Sequence, residues 1–397
     1  MAPIVLGFLL LAFSTPTLTQ KKIVCYFSSW AVYRTGNGHF DTSFVDPKLC
    51  THLIYAFISA YPNGSVKILD PSNDIKKNGY SKFNNLRLSN PTLKTMVSIG
   101  GWISGSKIFS DICNNSTLRA KFVTNLYNFL VQHKFNGLDL DWEYPVLNGG
   151  IAADKTNYVS LIKELRAKFA PAGLILSAAV SASVSATSTS YDVPALSANL
   201  DFINLMIYDF HGFWDGKTGH NSPLYGASSH NLYADAAVKN WIKLGANKTK
   251  LVLGIPLYGR SFTLSNIADT QMGAATSGAG TAGSWSQEAG LLMYSEASVL
   301  LSHGTICTSQ KSESDWNVVW DATQAVPYAH RNNQWVGYEN VISIGIKGQY
   351  ARDQGLGGVM VWAIDMDDFR DLCGDGKYPL LTNLKTNFTA RERPTKY

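Results

Sequence analysis

The sequence predicts an α/β fold, a closed (β/α)8 (TIM) barrel with a small inserted subdomain after its seventh strand. Eight short apolar runs alternate with longer segments of helical periodicity, which is typical of parallel β/α units. Eight such strands indicate a closed barrel. The seventh and eighth runs are separated by far more chain than one helix needs, and this excess predicts the insertion.

The predicted elements follow from periodicity along the chain. The strands are predicted at residues 22–30, 52–61, 95–102, 137–144, 174–182, 202–210, 251–259 and 358–365. Amphipathic segments between them predict helices, among them 118–133, 157–169 and 231–244. The insertion is predicted over roughly 261–334, and its first part, 272–286, is rich in Gly, Ala, Ser and Thr, which favours loops and turns.

The N-terminal segment, the cysteines and the sequons all predict a secreted protein. Residues 1–20 carry no charge, and their apolar stretch at 4–13 is too short to span a bilayer, which predicts a signal peptide. Five cysteines allow two disulfides with one thiol left over. Sequons predict N-glycans on a secreted surface, at Asn63, Asn114, Asn115, Asn247 and Asn387.

The composition excludes several classes of protein. Hydrophobic residues make up 45% of the chain and charged residues 16%, which argues against disorder. The net charge is +5, but no Lys/Arg cluster resembles a nucleic-acid footprint, so no nucleic-acid partner is expected. After residue 20 no long apolar run predicts a membrane span, and the eight His show no metal-ligand spacing. We expect a monomer without metal or cofactor that ends in a polar tail, 391–397.

A series of alternating carboxylates marks the fourth predicted strand. Asp139, Asp141 and Glu143 are separated by apolar residues, so the three acids face the barrel axis and the apolar residues face the helices. Glu143 lies at the C-terminal end of the strand, where barrel active sites lie. Stacked carboxylates raise one another's pKa, which predicts that Glu143 acts as a general acid. Two alternatives are weaker: an exposed strand face does not explain three acids that point inward from a buried strand, and a hard-cation site needs more oxygen ligands.

Residues 136–144 resemble the Asp-Gly-x-Asp-x-Asp-x-Glu signature of family 18 glycoside hydrolases, the chitinases and chitinase-like lectins, and differ only at Asn136. Segments 25–30, 55–57, 98–102, 206–209, 211–214, 258–262 and 357–362 are similar to further motifs of this family. The motif 258–262 is expected to end the seventh barrel strand. The resemblance covers nearly the whole mature chain.

The resemblance implies a catalytic domain over 21–390. It comprises a barrel, 21–260 and 335–390, and a small α+β insertion, 261–334, that forms one wall of a sugar groove. The resemblance also implies the disulfides Cys25–Cys50 and Cys307–Cys373, and it leaves Cys113 without a partner. No C-terminal chitin-binding module is expected.

The resemblance further implies a retaining, substrate-assisted mechanism, in which the 2-acetamido group of the substrate attacks the anomeric carbon. Glu143 is expected to protonate the leaving oxygen and then to activate water. Asp141 is expected to orient the acetamido N–H and to share a proton with Asp139. Tyr208 is expected to hydrogen-bond the acetamido carbonyl.

Aromatic residues at the strand ends are expected to line the groove, because aromatic rings stack on the apolar faces of sugars. Trp362 is expected to form the floor at the cleavage point, with Trp30, Trp102 and Trp214 at further sugars; core packing is the alternative for each of them. The predicted sugar-binding set is Tyr26, Trp30, Phe57, Gly101, Trp102, Tyr144, Met206, Asp209, Trp214, Tyr258, Arg260 and Trp362.

Supporting roles are also implied. Tyr26 and Ser98 are candidates to hold Asp139, and Asp209 is expected to brace the sugar or Glu143. Tyr258 and Arg260 are expected to contact sugar or to hold Asp209, and a structural salt bridge is the alternative.

Together these inferences predict a secreted, endo-acting chitinase that cuts β-1,4-linked N-acetylglucosamine polymers. A chitin-binding lectin of the extracellular matrix is the first alternative, and an endo-β-N-acetylglucosaminidase acting on N-glycans is the second. Retention of all four predicted catalytic residues favours the enzyme. Asn136, together with Ile103 at a position that is often Asn in active relatives, keeps the lectin hypothesis open.

Overall fold

The computed structural model describes residues 21–226, 231–296 and 316–390. Eight parallel strands close a barrel in the order β1-β15-β8-β7-β6-β5-β4-β2, with β2 paired back to β1. The predicted (β/α)8 barrel is confirmed, and each strand ends slightly earlier than predicted. The barrel strands are β1 (Lys22–Ser28), β2 (His52–Ala60), β4 (Lys94–Gly100), β5 (Gly137–Asp141), β6 (Ile175–Ser181), β7 (Phe202–Met206), β8 (Leu251–Pro256) and β15 (Gly358–Trp362). A short strand, β3 (Val66–Ile68), pairs antiparallel with β2.

Helices surround the barrel and bury its outer face. The three predicted helices are present as Ser116–His133, Asp154–Phe169 and Ala234–Lys243. None of the helices in the described ranges is long and apolar enough to cross a membrane. Further α-helices within the described ranges are Gly79–Asn85, Lys107–Asn114, Val184–Ser190, Val193–Asn199, Val341–Asp353 and Pro379–Thr389.

The barrel interior is apolar toward the N-terminal ends of the strands and polar above. Val24, Met96, Phe202, Val252 and Met360 form a fully buried cluster inside the barrel. Inward-facing positions nearer the C-terminal ends carry acidic and hydroxyl side chains instead, because strand side chains alternate between the two faces. Polar chemistry is therefore concentrated at the end where barrel active sites lie.

The insertion is built on an antiparallel sheet in the order β10-β9-β14-β13-β12, with β11 paired to β9. Its strands are β9 (Tyr258–Leu264), β10 (Thr276–Ala279), β11 (Leu291–Met293), β12 (Asn317–Asp321), β13 (Val326–Arg331) and β14 (Gln334–Gly337). The domain limits 261–334 and the α+β character of the insertion remain predictions.

The placement of residues 258–262 at the end of the seventh barrel strand is wrong. Barrel strand β8 ends at Pro256, and the backbone N–H of Leu257 donates to the carbonyl of Trp362. The chain then enters β9, which pairs antiparallel with β11 and β14 and with no barrel strand. Tyr258 and Arg260 thus belong to the insertion sheet and reach the site from its side.

One predicted disulfide is confirmed and the other is not tested. Cys25 in β1 is bonded to Cys50, which lies just before β2. Cys307 lies outside the described residues, so its bond to Cys373 stays a prediction. Cys113 is free and fully buried, and a cysteine so enclosed cannot link two chains.

The predicted glycosylation sites differ in how accessible they are. Four of them are exposed, at Asn63, Asn114, Asn115 and Asn247. Asn387 is only partly exposed, and its side-chain amide donates to the Asn383 carbonyl at 3.0 Å within the last helix. All five glycans remain predictions. The signal peptide at 1–20 and the tail at 391–397 lie outside the described residues.

Removal of the Cys25–Cys50 bond is expected to destabilise the fold. The bond closes a loop with a sequence separation of 25 residues, and a loop of that size corresponds to about 3 kcal/mol in the free energy of unfolding. A Cys25→Ala/Cys50→Ala variant should therefore unfold at a lower urea concentration than the parent. Cys113→Ala, which removes a buried cysteine without breaking a bond, is the control. Equal unfolding midpoints for the double variant and the parent would contradict this prediction.

Candidate active site

The carboxylates of β5 face the barrel axis, as the alternation predicts. Asp139 and Asp141 are buried inside the barrel. Trp142 points the other way and packs against Phe109 and Tyr158 of the surrounding helices. Glu143 lies two residues after the end of β5 and is partly exposed at the C-terminal end of the barrel.

Four donors surround the carboxylate of Asp139. Its Oδ2 accepts from the two predicted partners, Tyr26 Oη at 2.7 Å and Ser98 Oγ at 2.9 Å. Its Oδ1 accepts from Ser177 Oγ at 2.6 Å and from Asn204 Nδ2 at 3.3 Å. Burial raises the pKa of Asp139, and these hydrogen bonds oppose the rise. Both oxygens of the Asp139 carboxylate are thus held by donors from other barrel strands.

Sequence reasoning missed Ser177 and Asn204. Ser177 lies opposite Asp139 in the register of β5 and β6, and Asn204 lies on β7 opposite Ala179 of β6. Each is a polar residue at an inward-facing position of an otherwise apolar strand. This sequence feature could have identified both of them.

Asp141 lacks the hydrogen bonds that Asp139 has. Its Oδ1 is buried without a partner, and in the described ranges no hydrogen bond joins it to Asp139. Burial raises the pKa of Asp141 well above its ordinary value, and the negative charges of Glu143 and Asp139 raise it further. A buried carboxyl oxygen without a partner is costly unless a ligand supplies a donor, so Asp141 is suited to bind one.

Glu143 has the electrostatics of a general acid. Burial of its carboxyl is the largest cause that raises its pKa, which reaches about 7. A hydrogen bond with Tyr144 lowers this pKa, and the negative charge of Asp209 raises it. A carboxyl group with this pKa exchanges its proton readily at neutral pH.

An aromatic floor lies beside the carboxylates. The Phe57 ring stacks on Trp362 at 5.7 Å and on Trp30 at 6.0 Å between centroids. A side chain at Gly101 would place a Cβ 2.8 Å from the Phe57 ring, and the φ of Gly101 is +79°, so glycine is required there.

Three further aromatic predictions concern exposed rings, and their exposure argues against the alternative of core packing, whereas the sugar contacts stay predictions. Trp30, Trp102 and Trp214 are 41%, 65% and 52% exposed. Rings this open do not pack in the core. Their exposed faces are available to a ligand in the groove.

Asp209 joins β7 to the insertion sheet. Its Oδ1 accepts from Tyr258 Oη and from Arg260 Nε, both at 2.7 Å. The Arg260 guanidinium lies over the Trp214 ring, 5.2 Å from its centroid, which favours a cation–π contact. Of the two roles predicted for Tyr258 and Arg260, the structure shows the one that holds Asp209.

Asn221 is a third residue that sequence reasoning missed. Its Oδ1 accepts from the backbone N–H of Asp209 at 2.8 Å, and its Nδ2 donates to the Tyr258 carbonyl at 3.0 Å. Asp209 has a left-handed φ of +57°, a conformation that needs support from its surroundings. No local pattern marks Asn221, because both of its partners are distant in the sequence.

The remaining residues predicted to bind sugar or to act in catalysis fall into two groups, one partly exposed and one buried. Phe57, Tyr144, Met206 and Tyr208 are partly exposed near the carboxylates. Met360 Sδ, at 3.9 Å, is the only hydrogen-bond acceptor recorded for the Tyr208 hydroxyl among the described residues, which leaves this group available to a ligand.

Tyr26 and Tyr258, in contrast, are 1% and 3% exposed. Their hydroxyls are already bonded to Asp139 and Asp209. Both therefore support the two carboxylates, and their predicted sugar contacts stay predictions.

The two departures from the family pattern lie in different places. Asn136 Oδ1 accepts from the backbone N–H of Thr95 at 2.9 Å and from Arg87 Nη1 at 3.1 Å, at the N-terminal end of β5 and remote from Glu143. Ile103 is fully exposed next to Trp102. Asn136 thus fastens the base of the barrel, whereas Ile103 alters the surface beside the groove.

In the part of the chain that the structure describes, no group of three His, Cys, Asp or Glu residues could hold a metal ion.

The profile of the glycosyl hydrolases family 18 matches residues 22–367, which include the whole barrel and the insertion sheet. The chain belongs to this family. Chitotriosidase-1 of Mus musculus is 38% identical over 382 residues, covering 92% of this chain and 78% of its own length. Probable chitinase 10 of Drosophila melanogaster is 39% identical over 379 residues, but the chain spans only 16% of that protein.

Solved structures of the family superimpose closely on this chain. The Group IV chitinase of Ostrinia furnacalis gives a TM-score of 0.90 at 39% identity, covering 94% of this chain and 100% of that one. Human YKL-39, described as a pseudo-chitinase with retained chitooligosaccharide binding properties, gives a TM-score of 0.84 at 38% identity with the same coverage. Both a chitinase and a pseudo-chitinase are therefore similar to this chain to nearly the same degree.

Proposed function

We propose that this chain is a secreted chitinase that hydrolyses β-1,4-linked N-acetylglucosamine polymers with retention of anomeric configuration. One observation carries the proposal. Asp139, Asp141 and Glu143 form a series of carboxyl groups with different surroundings. Asp139 is fully hydrogen-bonded, Asp141 has an unpartnered oxygen, and Glu143 has a pKa of about 7. The aromatic floor of Trp362 and Phe57 beside this series supplies a surface for a pyranose ring.

Hydrolysis begins when the protonated Glu143 donates its proton to the glycosidic oxygen between two sugars. The acetamido oxygen of the sugar on the non-reducing side attacks its own anomeric carbon, and the bond to the leaving sugar breaks. The electron pair of that bond stays with the leaving oxygen, which has received the proton. The product is a cyclic oxazolinium ion, so no enzyme carboxylate needs to reach the anomeric carbon.

Asp141 and Tyr208 act on the acetamido group. The unpartnered Asp141 Oδ1 accepts the acetamido N–H, which orients the carbonyl oxygen and stabilises the positive charge of the oxazolinium ion. The Tyr208 hydroxyl donates to the acetamido carbonyl. Asp139, held by its four donors, lies beneath Asp141 and is available to share a proton with it when Asp141 turns.

The second half of the reaction uses Glu143 as a base. The Glu143 carboxylate removes a proton from a water molecule, and the water oxygen attacks the anomeric carbon. The oxazolinium ring opens, the acetamido group is restored, and Glu143 is again protonated. Two inversions at one carbon give net retention.

The direct test is the hydrolysis of chitotetraose by the purified protein, with the anomers of the first products followed by proton NMR. The expected result is turnover in which the new reducing end is first released as the β-anomer. Release of the α-anomer would contradict the substrate-assisted route. Absence of turnover between pH 3 and 8 would contradict the enzyme itself.

A second candidate is a lectin that binds chitin oligosaccharides without cleaving them. The specific observation in its favour is the exposed apolar Ile103 beside Trp102, together with the similarity to human YKL-39. Tight oligosaccharide binding without any turnover would support the lectin. The complete series of carboxylates and the available Tyr208 hydroxyl favour the enzyme.

The activity is expected to fall as pH rises through about 7, because the acid form of Glu143 is needed for the first step. Since the negative charge of Asp209 raises the pKa of Glu143, Asp209→Asn should lower that pKa and move the alkaline limb of the kcat/KM profile to lower pH. Asp111→Asn, on an exposed site of an outer helix, is the control. An alkaline limb that stays in place in Asp209→Asn would contradict the assigned coupling.

A further inference from the structure

The residues on both sides of Glu143 bond to a single buried side chain, Ser106, one through its indole and the other through its backbone carbonyl. The indole Nε1 of Trp142 donates to Ser106 Oγ at 2.6 Å, and Ser106 Oγ donates to the Tyr144 carbonyl at 2.8 Å. Trp142 and Tyr144 are the residues directly before and after Glu143. Ser106 is fully buried, so water cannot replace either bond without a change in packing.

The Ser106 hydroxyl does not take the role that its position predicts. Ser106 immediately precedes the helix Lys107–Asn114, where a serine side chain normally accepts a backbone N–H of its own helix. Here the Ser106 side chain makes no such capping bond. The hydroxyl is directed instead at the segment that carries Glu143, and the helix N-terminus is left without the usual cap.

A neighbouring serine offers a matched comparison. Ser110, one turn further along the same helix, is also buried, and its Oγ donates to Asp154 Oδ1 at 2.7 Å. Asp154 in turn accepts from the backbone N–H of Ile151 at 2.7 Å. Ser110 therefore fastens the loop that follows the active site, but it makes no bond to a residue adjacent to Glu143.

We propose that Ser106 is a positioning residue for the reaction: by joining the Trp142 indole to the Tyr144 carbonyl, it fixes the depth and direction of Glu143. This inference rests on the proposed function, because it concerns the same carboxyl group. Ser106 does not touch the substrate. It acts through the Trp142 side chain and the Tyr144 backbone, which flank Glu143.

The physical consequence of the bridge is a fixed environment for the Glu143 carboxyl. Without it, the segment is free to shift toward solvent, and an acid displaced by about 1 Å from the glycosidic oxygen loses on the order of a hundredfold in rate. Greater solvation also lowers the pKa of Glu143, since burial is the main cause that raises it. The titratable groups that act on Glu143 or respond to its charge are Asp141, Tyr144, Tyr191, Tyr208 and Asp209.

The test compares the parent with Ser106→Ala, Ser110→Ala, Trp142→Phe and the double variant Ser106→Ala/Trp142→Phe. For each we would measure kcat, KM, the pH profile of kcat/KM and the urea midpoint. The Glu143 carboxyl would be titrated directly by 13C NMR, assigned against Glu143→Gln. Ser106→Ala should lower kcat about ten- to a hundredfold with little change in KM. Both its alkaline limb and its titration midpoint should shift to lower pH.

The matched variant Ser110→Ala should lower the urea midpoint to a similar extent and leave kcat and the titration unchanged. The combined effect of Ser106→Ala and Trp142→Phe should be smaller than the product of the single effects, because both remove the same bridge. Equal kcat values for Ser106→Ala and Ser110→Ala, with an unshifted Glu143 titration, would overturn the inference. If the parent shows no turnover, the proposed function fails, while the Glu143 titration still decides the role of Ser106.

Discussion

Glu143→Gln is expected to abolish hydrolysis of chitin oligosaccharides while leaving their binding intact. Gln has nearly the size and shape of protonated Glu, but its amide cannot deliver a proton to the glycosidic oxygen or accept one from water. Loss of a general acid–base group lowers rates by about 10²–10⁴-fold. Because Glu143 serves in both halves of the proposed reaction, we expect the upper end of that range. Turnover of chitotetraose and binding by isothermal titration calorimetry would be measured on the same preparation.

Glu164→Gln is the matched control for this prediction. Glu164 lies on the helix Asp154–Phe169 and pairs with Arg119 outside the barrel, so the same change there should leave kcat unaltered. If Glu143→Gln lost binding together with turnover, the result would indicate a collapsed site rather than a missing acid. A variant that retained more than about a tenth of the parent kcat would exclude Glu143 as the general acid.

Asp141→Asn carries the second largest expected effect. The substitution keeps the shape of the side chain and removes the negative charge that faces the proposed oxazolinium ion. Withdrawal of one preorganised electrostatic contact from a buried site costs on the order of 10²–10³ in kcat. The effect should fall on kcat more than on KM, since the charge matters most after the anomeric carbon becomes positive. Steady-state kinetics with chitotetraose would separate the two parameters.

The surface residue Asp111 provides the comparison. Asp111 pairs with Lys107 on an exposed helix face, so Asp111→Asn should behave as the parent does. An Asp141→Asn variant with unchanged kcat would show that the acetamido group is oriented by other residues. A large rise in KM at constant kcat would instead make Asp141 a ground-state binding residue.

The sequence was informative about the barrel because its signals are local. The alternation of Asp139, Asp141 and Glu143 with apolar residues follows from the two faces of a strand, and it correctly placed Trp142 among the helices. Apolar runs located all eight barrel strands, because a strand covered on both faces must be apolar along most of its length. Trp30, Trp102 and Trp214 were assigned to the groove from the family resemblance, and all three rings are exposed.

The same local signals were insufficient at the end of the seventh strand. Only Leu257 separates β8 from β9, so the two strands read as one run in the sequence although the chain leaves the barrel there. Which strands pair with β9 depends on partners up to about eighty residues away in the sequence, in β14. The local amino-acid composition does not indicate which strands pair with each other.

The barrel, the inward carboxylates and the membership of family 18 could all be inferred from the sequence, because each depends on residue type and on spacing along the strands. The contacts that hold those carboxylates could be found only in the folded protein. Ser177 and Asn204 meet Asp139 through the register of three strands, Asn221 joins Asp209 to the insertion sheet, and Ser106 bridges the residues on either side of Glu143. These contacts join residues that are distant along the chain, and they form only when closure of the barrel brings the ends of different strands together.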